Sequence, residues 1–196
     1  MNLPNKLTLL RIILIPVFMI FAFPYPDWFP FLSTAEWFIE SKDIVAFVIF
    51  VVASVTDFLD GYIARKNNLV TDFGKFLDPI ADKLLVTASL PALAKVSDAY
   101  VWATMIILIR EFVVTGMRLV AAGKGVVIAA GQLGKWKTAT QMIALSVLLF
   151  APILPMGKIR FTVFMIGNIV MAVSVLLTII SGVEYIYKNR SLLQSR

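Results

Sequence analysis

"DFLDGYIARKNNLVTDFGKFLDPIAD", residues 57–82, places five aspartates in 26 positions of a chain that is otherwise mostly apolar. On either side the composition is that of a membrane protein. Of the 196 residues, 60% are hydrophobic and the mean hydropathy is +0.88, whereas soluble domains lie nearer half apolar. Six segments are long enough to cross a hydrocarbon core of about 30 Å as helix: residues 7–23, 44–64, 78–96, 101–121, 136–155 and 161–183. They are too long and too continuously apolar for barrel strands. The sequence therefore predicts an all-α integral membrane protein of six transmembrane helices, a single domain over residues 1–196. The third span reaches full length only by including Asp78 and Asp82.

The chain has neither cysteine nor histidine. Disulfides, zinc–thiolate sites and every nucleophile that relies on an imidazole are excluded. Chemistry here must run on carboxylates, amines, hydroxyls or a bound metal. Six spans put both termini on one side. With that side cytosolic, it collects 14 of the 18 lysines and arginines and leaves Lys42, Lys95, Lys158 and Arg160 outside, a clear positive-inside bias. The net charge of +6 thus reads as topology and attraction to anionic headgroups, not nucleic-acid binding. The outer segment "PYPDWFPFLSTAEWFIESKD" alternates aromatics with acids and is expected to lie along the interface.

At 100° per residue, Asp57, Asp60, Gly61, Ala64 and Arg65 share an arc of about 140° at the cytosolic end of the second helix. After the polar turn "KNNLVTD" a new helix is expected, with Thr71 or Asp72 as N-cap. Gly74, Asp78 and Asp82 follow at spacings of four and share an arc of about 80°. Two antiparallel helices joined by a short loop are expected to pack side by side, so that their carboxylate stripes face each other. Four converging carboxylates cannot all stay ionised without a counter-charge. Hard oxygen donors suit Mg²⁺, Mn²⁺ or Ca²⁺, and ionisable groups at this depth point to function. Pairing of these acids with Arg65, Lys75 and Lys83 in a solvated loop accounts for Asp72 but not for two facing stripes with glycines beside them.

The same residues form the pattern D-x₂-D-G-x₂-A-R-x₈-G-x₃-D-x₃-D, met at every fixed position. In this the sequence resembles the CDP-alcohol phosphatidyltransferases, whose core of six transmembrane helices matches the whole chain. The resemblance implies that Asp57, Asp60 and Asp78 bind a pair of divalent ions, Mg²⁺ or Mn²⁺, and that Asp82 is the general base at the edge of the same metal site. It implies that Gly61, Ala64 and Arg65 contact the CDP moiety, with Thr71, Gly74, Asn5 and Thr8 at the nucleotide end. It also implies a homodimer.

The other informative stretch is "LIREFVVTGMRLVAAGKGVVIAAGQLGKWKTATQM". Arg110 and Glu111 lie well inside the fourth span, and Arg118 stands one to two turns nearer the cytosol. Lys135 and Lys137 open the fifth helix behind Gly131 and Gly134, where backbone N–H groups and the helix dipole favour an anion. Neutralisation by Glu111 and snorkelling to the surface could account for Arg118, Lys135 and Lys137, but Arg110 is too deep for it. The cluster of Arg110, Arg118, Lys135 and Lys137 suits a small phosphate-bearing substrate better than a neutral alcohol. "PNKLTLLR" and "REFVVTGMR…GKWKT" are similar to the branch of the family that makes phosphatidylglycerophosphate. That likeness implies CDP-diacylglycerol and glycerol 3-phosphate as substrates at the cytosolic face of a bacterial membrane, with the acyl tails leaving sideways into lipid.

Other readings are weaker. Transfer to serine fits the basic cluster poorly, while inositol phosphate or phosphatidylglycerol would keep the same chemistry. A membrane prenyltransferase leaves the A-R and G-x₃-D-x₃-D spacing unexplained. A divalent-cation transporter needs acids along the whole path, yet these sit at one face.

Overall fold

The computed structural model describes residues 2–23, 36–66, 72–95, 97–126, 128 and 131–190. Within its helices, the side chains of residues 3, 4, 58, 60–62, 64–66, 72–76, 78, 79, 82 and 95 fall outside this description. Six α-helices make up the described residues: α1 (Leu3–Ala22), α2 (Glu36–Lys66), α3 (Asp72–Ala92), α4 (Ala99–Gly123), α5 (Gln132–Phe150) and α6 (Lys158–Lys188). Single 3₁₀ turns, Leu93–Lys95 and Ala151–Ile153, follow α3 and α5. The described residues contain no strand.

Each helix buries one stripe. On α1 the inward row is Asn5, Thr8, Arg11, Ile15, Phe18 and Ala22, at the three- and four-residue steps of a single helix face. Phe18, Phe50, Leu90, Ile107, Leu145 and Leu148 are fully buried in the common apolar core. Large apolar side chains such as Trp102, Phe112, Leu119, Trp136, Ile169 and Val183 point outward. That inverts the soluble pattern and gives the bundle a surface suited to lipid. Hydroxyls buried among apolar groups bond the carbonyl one turn back, as in Ser89 to Leu85, Thr104 to Tyr100 and Thr178 to Ser174. This removes the desolvation penalty of an unpaired hydroxyl.

Three helical segments are long and apolar enough to cross a membrane: Asn5–Ala22, Gln132–Ile153 and Lys158–Lys188. The apolar part of α3 is confined to Lys83–Ala92, because aspartates and lysines occupy its first half. Helix α4 carries Arg110 and Glu111 in its middle. The helices also outrun the apolar segments of the sequence. In particular α2 begins at Glu36, so residues 36–43 of the segment expected along the interface form its first two turns; residues 24–35 of that segment lie outside the described residues.

Pairings between helices define an alternating bundle. Arg11 in the first half of α1 meets Asp57 in the second half of α2. Lys137 near the start of α5 meets Glu111 in α4, and Arg110 reaches Ser181 late in α6. The first half of α1 thus lies beside the second half of α2, and the start of α5 and the second half of α6 lie beside the middle of α4. Helices α5 and α6 make the most extensive contact in the molecule, with a close approach at Gly167. A Cβ there would lie 2.7 Å from Leu148 Cδ2.

Candidate active site

Helix α2 stays helical through Lys66 and α3 from Asp72 onward, so the two halves of the aspartate pattern stand on regular helices as the spacing requires. Of the four signature aspartates, Asp57 is the one whose side chain is described. The side chains of Asp60, Asp78 and Asp82, and of Gly61, Ala64, Arg65 and Gly74, fall outside the described residues, as does Thr71 altogether. The N-cap expected at Thr71 or Asp72 likewise lies outside what is described.

The expected facing of helices 2 and 3 falls on side chains that lie largely outside the described residues. Among the described residues, α1 packs against α2 and against α3 more extensively than those two pack against each other. The inner face of α1 is polar at this end. Its first three turns present Asn5, Thr8 and Arg11, all buried, a polar row that can lie beside carboxylates where an apolar helix could not. Arg11 Nη1 stands 2.5 Å from Asp57 Oδ1, with the arginine side chain 1% and the aspartate side chain 43% exposed. Asp57 is thus anchored on one side and open on the other.

The basic half of the site is built by α4, α5 and α6. Glu111 Oε1 accepts from Arg110 Nη1 at 3.0 Å and from Lys137 Nζ at 2.6 Å. Arg110 Nη2 donates to Ser181 Oγ at 3.3 Å. Two glycines make room for this guanidinium: a Cβ at Gly134 would lie 3.4 Å from Arg110 Nη2, and one at Gly182 would lie 3.0 Å from Arg110 Cγ. Lys137 is only 3% exposed, and its carbonyl accepts from Ser174 Oγ at 3.4 Å. Arg118 and Lys135 are exposed; the Arg118 guanidinium carbon lies 5.8 Å from the centroid of the Tyr185 ring. Helix α5 starts behind Gly131 without a side-chain cap, which leaves first-turn N–H groups available. Three buried polar atoms in these helices lack a hydrogen-bond partner among the described residues: Arg110 Nε, Gln141 Nε2 and the Tyr185 hydroxyl.

Lys83 joins the halves. Next in sequence to Asp82, it donates from Nζ to Thr115 Oγ1 at 2.5 Å, and Thr115 lies between Arg110 and Arg118 on α4. This contact ties the middle of α3 to α4. Two cations on one carboxylate leave a net positive charge in the interior of the α4–α6 cluster, with two further cations at its surface. Such a cluster favours a small, multiply charged anion.

Sequence reasoning passed over Arg11, counting it only as one more cytosolic basic residue, although Asn5, Thr8 and Arg11 already stand three apart in the quoted "PNKLTLLR". Ser181 and Tyr185 carried no local signal, since Arg110 and Arg118, which they meet, lie on another helix.

Asp57 held by a buried arginine, a cluster of cations on α4, α5 and α6 and an apolar exterior fit a membrane enzyme. The CDP-alcohol phosphatidyltransferase family matches residues 1–180, and the chain belongs to that family. Among its relatives, the CDP-diacylglycerol–glycerol-3-phosphate 3-phosphatidyltransferase of Bacillus subtilis is 48% identical over 188 residues, 96% of this chain and 95% of that one. The protein of the same name from Rickettsia bellii is 41% identical over 94% of this chain and 93% of its own. A probable phosphatidylglycerophosphate synthase of Mycobacterium tuberculosis is 37% identical over 94% of this chain and 80% of its own.

Proposed function

We propose that the protein transfers the phosphatidyl group of CDP-diacylglycerol to glycerol 3-phosphate, giving phosphatidylglycerophosphate and CMP. Relatives carrying that activity in their names align over nearly the full chain. The observation that carries the choice of acceptor is the cluster on α4, α5 and α6, where Arg110 and Lys137 share Glu111 while Arg118 and Lys135 face outward.

The donor set suits a hard divalent ion: it is all carboxylate, and the one described member, Asp57, is anchored yet half open. Among the described residues no group of three acids assembles, so Asp57, Asp60 and Asp78 as ligands of two Mg²⁺ or Mn²⁺ ions, with Asp82 at their edge, rest on the pattern. When bound, such ions neutralise charge on the diphosphate and on the departing CMP. Gly61 and Ala64 let CDP approach the α2 backbone, and Arg65, Thr71, Gly74, Asn5 and Thr8 surround the nucleotide end. Arg118 and Lys135 meet the acceptor phosphate from the open side, with Arg110 and Lys137 behind them. Asp82 takes the proton from the glycerol hydroxyl, whose oxygen attacks the lipid-side phosphorus. The phosphorus–oxygen bond to CMP breaks, and CMP leaves with the electron pair.

The same reading makes the chain one membrane domain of six spans in the bacterial cytoplasmic membrane. Both termini and the active site face the cytosol, and the enzyme works as a homodimer. The charge bias of the loops supports this orientation. The test is CMP release by the purified protein from CDP-diacylglycerol, with glycerol 3-phosphate, inositol phosphate, serine and phosphatidylglycerol offered singly. Release with glycerol 3-phosphate alone is expected. Release with serine or inositol phosphate instead would overturn the acceptor.

A further inference from the structure

Arg11 stands on the inner face of α1 between Thr8 and Ile15, with its side chain 1% exposed. A guanidinium buried in an apolar bundle is tolerated only where its charge is answered. Here Nη1 stands 2.5 Å from Asp57 Oδ1. Asp57 is the first aspartate of the pattern and leaves 43% of its side chain open. One oxygen is thus fixed from a neighbouring helix while the rest of the side chain stays open. Groups that hydrogen-bond a ligating carboxylate fix its direction and are felt in metal affinity almost as strongly as the ligands. Arginine suits this better than lysine, because its planar fork fixes direction as well as charge.

We propose that Arg11 is a positioning residue that holds Asp57 in the orientation in which it ligates the divalent ion. The inference rests on the reading of Asp57 as a metal ligand. It also gives α1, which carries none of the signature aspartates, a part in building the metal site. The opposite role is physically available and has the opposite sign. A cation beside a metal-binding carboxylate repels the ion, so an arginine acting only as a counter-charge would weaken metal binding, and its removal would tighten it.

Mn²⁺ titration of the full-length protein in detergent, followed by the electron paramagnetic resonance of free Mn²⁺, separates the two. Arg11→Met is expected to raise the Mn²⁺ dissociation constant by about tenfold or more, and Arg11→Lys by less. In an Asp57→Asn background, Arg11→Met should add nothing, because the residue acts through that carboxylate. Should Arg11→Met fail to fold, Arg11→Lys carries the test through a raised half-saturating Mn²⁺ for CMP release at an unchanged thermal midpoint. Wild-type or tighter Mn²⁺ binding by the Arg11 variants overturns the proposal, as does an equal loss in the Asp57→Asn background. Wild-type Mn²⁺ binding by Asp57→Asn alone defeats instead the metal role of Asp57 on which the inference stands.

Discussion

Glu111 accepts from Arg110 and Lys137 through a single oxygen, and this decides how the basic residues respond to substitution. Lys137→Met removes a buried cation and leaves Glu111 with Arg110 alone. Breaking a buried pair in this way costs about 3–5 kcal/mol, so the thermal midpoint in detergent should fall well below that of the wild type. Arg118 is exposed beside Tyr185, so Arg118→Ala should leave the midpoint nearly unchanged. Steady-state kinetics should show a raised KM for glycerol 3-phosphate with the KM for CDP-diacylglycerol preserved. Equal loss for both substrates would place Arg118 on the CDP diphosphate. The sequence alone grouped these four cations and set one of them, Arg110, deep. It could not show that Glu111 divides them into a buried pair and an open pair, because Lys137 lies 26 positions from its partner and helix angles say nothing about contacts between helices.

At the scale of the helices, glycine spacing sets how closely the bundle closes around those charges. Gly167→Ala puts a Cβ 2.7 Å from Leu148 Cδ2 and 2.8 Å from its Cγ, in a core where Leu148 is 2% exposed. The expected result is a loss of about 1–3 kcal/mol in stability with both KM values unchanged, measured by melting and kinetics on one preparation. Gly182→Ala meets Arg110 Cγ at 3.0 Å and should show the other pattern, a raised acceptor KM with a smaller change in melting. Helix existence and order were legible in the sequence, because apolar runs between charged turns mark each helix. Their ends were not, since hydropathy records only the apolar part of a helix and α2 begins with Glu36 and continues to Lys66. The place of α1 against both α2 and α3 was equally hidden.

For the whole molecule, the chain offers an unusually clean test of orientation because it contains no cysteine. Single cysteines at Val126 and Met156, both exposed, should react with an impermeant maleimide from opposite sides of the membrane, the first only after the cytosolic side is opened. Labelling of both from outside would contradict the six-span arrangement. Catalysis should stop with excess chelator and return with Mg²⁺ or Mn²⁺, as measured by CMP release. Asp82→Asn should lose nearly all turnover, and retention of half would remove Asp82 as the base. The central claim, that an acidic site and a cation pocket meet to join a lipid phosphate to a phosphorylated alcohol, is tested most directly by kcat/KM for glycerol 3-phosphate against glycerol. A phosphate monoester gains about 1.5–3 kcal/mol from each charge-assisted hydrogen bond, which a neutral acceptor forgoes. Discrimination of at least about a hundredfold in favour of glycerol 3-phosphate is therefore expected; comparable values for the two acceptors would contradict it.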